Sequence, residues 1–410
     1  MLDGEVKMKI LYLAFACNPF AGSEAQCGWA WPMVMRKYAE VAVLTRKENR
    51  SDIERFLEEK AIKNIKVFYH DIPEWMNFYY KKGKGYHLYY LLWQKSSVKI
   101  IRKLNEKYHF DYIHQVTLGD FRSFNGSWKL GTKFIFGPVG GAQVTPSSLK
   151  SYVEKDLRTE KRREAINNLV GRIPSYKRAL NATELVFSAN RETQLFLQKY
   201  MKKPENCKLL TENGVLQEML QGVPTRVVEG KCVLLWAGRM VNKKGLAFLL
   251  DVIASMKTES AFVLKLIGDG PEMERLKKQA ESLNIQNKVE FLGKISYEKM
   301  KEAYISSDIF VFPSLRETTG TVLFEAMSSG LPVITFNQNG ADILIDDTCG
   351  RKIDINQNLE GIIKDFASSI TELVDDASMR RKLGAEAYKR IETKYTWEEK
   401  CKKFYLEYLK

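Results

Sequence analysis

The segment Ile309 to Ile334, I-F-V-F-P-S-L-R-E-T-T-G-T-V-L-F-E-A-M-S-S-G-L-P-V-I, constrains the fold more than any other part of the chain. It opens with a short apolar run, Ile309 to Phe312, and continues into a polar loop. A helical stretch follows, which Gly330 and Pro332 stop before a second apolar run. A strand, a crossover helix and a second strand of this kind belong to an α/β sheet. Thr318, Thr319 and Thr321 are positioned to cap the helix, whose mouth carries unpaired N–H groups and a partial positive charge. Such a mouth binds phosphate. Glu325 falls one turn beyond Thr321 on the polar side with Ser328 and Ser329, opposite Val322, Leu323, Ala326 and Met327. A carboxylate there can accept both hydroxyls of a ribose whose diphosphate sits at the helix end. A half-buried helix with one solvated Glu is the competing reading.

The same strand–turn–helix pattern recurs along the 410 residues. Met8–Cys17 is an apolar strand that runs into N18-P-F-A-G-S-E-A-Q-C-G-W-A-W31, a Gly-Ser loop ahead of a helix. The loop is neither G-x-G-x-x-G nor G-x-x-x-x-G-K-[ST], so dinucleotide and P-loop fingerprints are absent. Strands are expected near Val41–Leu44, Ile65–Tyr69, Asp111–Val116, Phe134–Phe136 and Leu185–Ser188, and a charged helix at 50–60. F134-I-F-G-P-V-G-G-A-Q143 ends in the paired Gly140 and Gly141, which let backbone N–H groups approach a ligand. V233-L-L-W-A-G-R-M-V-N-K-K-G245 places Arg239 and Lys244 in a loop after a strand, two fixed cations of the kind that neutralise a diphosphate. V263-L-K-L-I-G-D-G-P-E272 is a further strand and glycine turn.

Composition narrows the remaining classes. The net charge of +14 is uneven, since 36 Lys and Arg meet 22 Asp and Glu in residues 1–215, whereas 28 meet 28 in 216–410. Anionic headgroups, a lipid-diphosphate acceptor or nucleic acid fit a basic half, and nucleic acid fits worst because no recognised module accompanies it. Residues 75–93 interleave Trp75, Phe78, Tyr79, Tyr80, Tyr86, Tyr89, Tyr90 and Trp93 with Lys81, Lys82 and Lys84. They suit either a membrane interface or an N-terminal core with solvated lysines. The helical stretch 150–177, with R158-T-E-K-R-R163 in its middle, is expected to be a solvated basic face. Six cysteines without C-x-x-C or metal spacing point to reduced thiols and a cytoplasmic protein. No D-x-D pair occurs, so no dedicated site for a divalent metal is expected.

The E-x7-E arrangement of Glu317 and Glu325, followed by A-M-S-S-G-L-P-V, resembles the donor-site signature of the retaining glycosyltransferases of family 4, which have the GT-B fold. Arg239 and Lys244 match that family's G-R-x4-K-G, and L210-T-E-N-G-V215 its linker. The resemblance implies two Rossmann-like domains facing across a cleft, 1–215 for the acceptor and 216–395 for the nucleotide-sugar. A C-terminal helix, 396–410, is then expected to return to the first domain. It implies donor contacts from Gly22, Gly238, Arg239, Lys244, Gly268, Thr318, Thr319, Gly320, Thr321 and Glu325, and places Glu317 beside the donor sugar. Ser23, Glu24, Gly140 and Gly141 fall on the acceptor side. D111-Y-I-H-Q-V-T-L-G-D-F-R122 resembles the family's strand near the reacting centre, yet Val116 occupies the second position of the commoner H-x-H. Asp120 or His114 fills that role, or no side chain does, and His114 is equally a hydrogen-bonded core histidine. The implied activity is transfer of a sugar from a nucleotide-sugar to a glycan or lipid-linked acceptor with retention, without metal or other cofactor. Surface-polysaccharide synthesis at the inner face of a bacterial membrane is the implied setting. A catalytically idle relative acting as a binding or scaffolding subunit is the alternative.

Overall fold

The computed structural model describes residues 8–73, 85–220, 222–224 and 230–410; the side chains of Ser23 and Lys155 are also outside the described part. Two compact units emerge. The first comprises Met1–Ala142, Ile166–Gly214 and Trp397–Lys410, and the second Gln143–Ala165 and Val215–Thr396.

The first unit is built on a seven-stranded sheet of β1 (Lys9–Ala14), β2 (Glu40–Thr45), β3 (Ile65–Tyr69), β4 (Tyr112–Thr117), β5 (Lys133–Val139), β6 (Leu185–Ser188) and β7 (Cys207–Leu209). Its order is β3-β2-β1-β4-β5-β6-β7. Each pairing is parallel, with Ile10 opposite Val41 on one side and Tyr112 on the other. Both faces of such a sheet are covered, which is why β1 reads as a nearly continuous apolar run and every residue of β4, His114, Gln115 and Thr117 included, is buried. The second unit carries β8 (Cys232–Ala237), β9 (Phe262–Ile267), β10 (Val289–Gly293), β11 (Ile309–Phe312), β12 (Val333–Phe336) and β13 (Gly350–Ile353). They lie in the order β10-β9-β8-β11-β12-β13, again parallel throughout. Both units are therefore Rossmann-like.

The C-terminal helix Trp397–Phe404 belongs to the first unit, where Trp397, Cys401 and Phe404 are buried. Lys400 is buried among them, its ammonium donating to the carbonyls of Thr211 and Asn213 and lying over the Trp31 and Trp397 rings. Burial lowers its pKa to about 8. The helix is thus fastened to the segment that leads out of β7.

Two expectations change here. Residues 143–165 join the second unit instead of the first. The 3₁₀ segment Ser147–Asp156 puts Leu149 and Val153 into the core of β8, β9 and β11 beside Trp236, Leu264 and Phe248. Hydrogen bonds from Tyr152 Oη to Asp251 at 2.7 Å and from Ser148 Oγ to the Ile355 carbonyl at 3.1 Å hold it there. The basic stretch 150–177 is broken into that segment and the helices Leu157–Arg172 and Pro174–Ala182, and Glu160 within it is buried. Of the aromatic stretch, 74–84, with Trp75, Phe78, Tyr79, Tyr80, Lys81, Lys82 and Lys84, lies outside the described residues. Tyr89, Tyr90 and Trp93 are core residues packed on Phe15, the latter two edge-on and Tyr89 tilted, while Tyr86 stays exposed.

Candidate functional site

In the second sheet β8 leads by a crossover to β9 on one side, and β11 leads to β12 on the other. Loops leaving β8 and β11 at their carboxyl ends diverge, and the opening between them is where such sheets bind ligands. The β8 loop carries Gly238, Arg239 and Lys244; the β11 loop carries Glu317, Thr318, Thr319 and Gly320. They meet through an ion pair of Lys244 Nζ with Glu317 Oε2, two half-buried groups. Arg239 stays exposed at the start of the same loop.

The loops are laced together by backbone groups. Leu315 N donates to the Lys243 carbonyl at 2.9 Å, and Gln338 Nε2, after β12, donates to the Ser314 and Leu315 carbonyls at 3.3 and 3.2 Å. Gly340 lies against this loop so tightly that a Cβ would come within 2.4 Å of Thr319 Cα. At the neighbouring edge Gly268 N donates to the Gly293 carbonyl, and its own Cβ would sit 1.8 Å from Gly238 O. These glycines leave bare backbone at the strand ends.

The helix following the β11 loop is Thr321–Ser328. Its N-cap is Gly320, at φ 90°, with no side-chain cap, so the expectation that Thr318, Thr319 and Thr321 cap it is corrected. Thr318 instead accepts from Gln143 Nε2 at 3.2 Å. Thr319 is fully buried, and its hydroxyl has no hydrogen-bond partner among the described residues. Leu323 N donates to the Gly320 carbonyl at 3.1 Å, and a helix mouth without a side-chain cap is the kind of place where an anion binds. Glu325 is half-buried, not solvated, and Tyr304 Oη donates to its Oε2 at 2.8 Å. Burial raises its pKa, the Tyr304 hydrogen bond opposing that in part.

The first unit has its own switch point between β1 and β4. Gly22 caps the helix Ser23–Met35 from an exposed position, with no side-chain cap. Glu24 in its first turn accepts from Gly119 N at 2.7 Å, so one carboxylate ties the β1 loop to the β4 loop. Burial raises the Glu24 pKa, and the nearby Asp120 adds to the rise. Asp120 is paired with Arg122, Oδ1 to Nε at 2.8 Å. Gly140 N donates to the Gly119 carbonyl at 2.8 Å and Gly141 accepts from Asn167 Nδ2 at 3.0 Å, which closes the same edge.

His114 is corrected as a candidate for chemistry. It is fully buried in the middle of β4, stacked on Phe404 at 5.3 Å and flanked by Tyr12 and Trp31. Its Nε2 faces the Gly137 carbonyl at 2.7 Å, and burial lowers its pKa to about 3. A neutral histidine sealed under the C-terminal helix reaches no substrate. Sequence reasoning also missed Gln143, Glu160, Arg163 and Arg316, which gather beside the β11 loop. No local pattern joins them, because Glu160 and Arg316 come from distant parts of the chain. Among the described residues no three His, Cys, Asp or Glu side chains are grouped to hold a metal ion.

Residues 223–390 match the family model for glycosyl transferases group 1. The sulfoquinovosyl transferase SQD2 of Arabidopsis thaliana is 32% identical over 167 residues, which are 41% of this chain and 31% of that protein. The lipopolysaccharide core biosynthesis glycosyltransferase LpsE of Rhizobium meliloti is 29% identical over 161 residues, 39% of this chain and 44% of that protein. The chain therefore spans less than half the length of either relative. The structure of HepE from Anabaena in complex with UDP superposes with a TM-score of 0.62 at 17% identity, covering 97% of this chain and 98% of that one. The family match takes in less than half of this chain, and the structural likeness shows a GT-B fold.

Proposed function

We propose that this chain is a glycosyltransferase that moves a sugar from a nucleoside-diphosphate sugar to a glycan or lipid-linked acceptor, with retention of anomeric configuration. One observation carries the reading: Lys244 of the β8 loop and Glu317 of the β11 loop are paired at the switch point of the second sheet, beside an uncapped helix mouth. Breaking the bond between the sugar and the diphosphate leaves the electron pair on the phosphate oxygen and so adds one negative charge to the departing diphosphate. Arg239, Lys244 and the N–H groups after Gly320 stabilise that charge as it develops, without reorganising at the moment of reaction. Glu325 receives the ribose hydroxyls and Glu317 borders the sugar. Gly238 and Gly268 let the nucleotide lie against bare backbone. Ser23, Glu24, Gly140 and Gly141 border the acceptor, with Asp120 beside them. HepE, with UDP bound, favours a uridine donor, and LpsE favours a surface glycan as product.

The test is release of nucleoside diphosphate from a panel of UDP-, GDP- and ADP-sugars. Release from one member with an acceptor present is expected; none from any member, with the protein folded, favours a binding subunit. Chelation with EDTA is expected to leave the rate within about twofold, because the charge is met by fixed side chains and a helix end. A complete loss rescued by a divalent ion overturns that part of the proposal.

The protein is further proposed to work at an anionic membrane surface. No described helix is long and apolar enough to cross a membrane. In the first unit the helix Tyr86–Tyr108 exposes Leu88 and Leu91 ahead of Lys95, Lys99, Arg102 and Lys103. Leu169, at 63% exposure, and Ile173 stand among Arg172, Lys177 and Arg178. Apolar tips among cations suit an interface, where each Lys or Arg contributes about 1 kcal/mol near acidic lipid. Co-sedimentation with phosphatidylglycerol vesicles is expected at low salt and should fade as salt rises. Leu169→Gln together with Leu88→Gln should weaken it. Absence of sedimentation at low salt removes the membrane from the proposal.

A further inference from the structure

We infer that Glu160 is a positioning residue: the segment 143–165 is a brace that sets the shape of both donor-site loops, and Glu160 is its main clamp. The inference rests on the proposed donor site.

Three ties run from this segment to the two loops. Asp156 Oδ2 accepts from Asn242 Nδ2 at 3.1 Å, two residues before Lys244. Glu160 Oε1 binds Arg316 Nη2 at 2.7 Å, one residue before Glu317. Gln143 Nε2 reaches Thr318 Oγ1 at 3.2 Å, one residue beyond it. Arg163 completes the brace internally, facing Glu160 Oε2 at 3.7 Å and donating to the Gln143 carbonyl. Glu317 is thus flanked on both sides by residues held from outside its own loop. The brace is itself rigid, since Leu149 and Val153 are in the core and Tyr152 is bonded to Asp251.

Charge makes Glu160 the decisive member. It is 7% exposed and lies among Arg163, Arg316 and Lys243. Burial lowers the Lys243 pKa; Arg316 and Lys244 lower it further, while Glu317 and Glu160 oppose this. Removing the Glu160 charge leaves the half-buried Arg316 without its counter-ion. A cation in that state moves toward solvent or toward Glu317. If Arg316 takes Glu317, the carboxylate is drawn from Lys244. The network is also incompletely satisfied: Arg316 Nε and Glu160 Oε2 have no hydrogen-bond partner among the described residues.

Hydrogen–deuterium exchange on the full chain without donor tests the brace. In Glu160→Gln, amides of residues 313–320 are expected to exchange about tenfold faster, with β8, β9 and β12 unchanged. Glu160→Asp should restore most of the protection. Gln143→Ala, which removes one hydrogen bond and no charge, should give a smaller change in the same peptide. In steady state with the active donor, Glu160→Gln should lower kcat more than it raises KM, and Glu160→Asp should recover it. Unchanged exchange at 313–320 overturns the inference. Uniformly faster exchange across the second unit also overturns it, since Glu160 would then serve stability alone. A local response in a protein that binds neither UDP, GDP nor ADP keeps the brace and overturns the donor site.

Discussion

Replacing Lys244 by Ala is expected to lower turnover by about 10²–10³-fold, and Arg239→Ala by a comparable factor, with the fold intact. Both cations leave the carboxyl end of β8 in a loop fixed by Asn242 and by the Leu315 to Lys243 backbone bond. A charge held before the reaction begins is worth more than one recruited during it. Stability should change little: Arg239 is exposed, and the Lys244–Glu317 pair, with side chains 17% and 20% exposed, keeps some access to water. Because Lys244 and Glu317 touch, their effects should not add. The double variant Lys244→Ala/Glu317→Ala is expected to lose less than the two single losses combined. Glu317→Ala alone should depress turnover more than donor affinity. A folded Arg239→Ala/Lys244→Ala protein with unaltered turnover would remove both residues from the donor site.

Glu325→Ala is expected to weaken nucleoside diphosphate binding by about 10- to 100-fold in calorimetry. This corresponds to about 1.5–3 kcal/mol for hydrogen bonds to a charged carboxylate. The carboxylate is half-buried and oriented by Tyr304 at 2.8 Å, so it meets a ribose already aligned. Tyr304→Phe should retain the charge and lose the alignment, with a smaller drop of about threefold to tenfold. Burial raises the Glu325 pKa, so its ionised fraction falls at a higher pH than for an exposed Glu. Affinity should accordingly weaken on acidification in the wild type, and that pH dependence should vanish in Glu325→Ala. Unchanged affinity in folded Glu325→Ala would show that this side of the helix faces no ribose.

Much of the fold was legible locally. Apolar runs at β1, β8, β9 and β11, each ending in a glycine or polar turn before a helix, are what a parallel sheet covered on both faces requires. The loops after β8 and β11 were legible as loops for the same reason, since a loop at a strand's carboxyl end has its sequence written contiguously. The capping threonines were misjudged because a cap depends on loop geometry: Gly320 at φ 90° turns the chain into the helix, and Gln143 takes Thr318.

For His114 and the aromatic stretch the sequence left two readings open, and the structure takes the core one for His114, Tyr89, Tyr90 and Trp93. The sequence of β4 does not show what covers it, and the cover is the helix Trp397–Phe404 from the far end of the chain. Tyr89, Tyr90 and Trp93 likewise answer to Phe15, a neighbour only after folding. The sequence by itself determined two α/β units, the phosphate-type loops and the basic bias of residues 1–215, because these depend on periodicity, spacing and charge within short stretches. Only the tertiary structure decided that Lys244 pairs with Glu317, that residues 143–165 serve the second unit, and that Glu160 meets Arg316. Those are pairings between distant residues, and the free energy that selects them comes from burying apolar surface and matching charge across the folded chain, which no local pattern records.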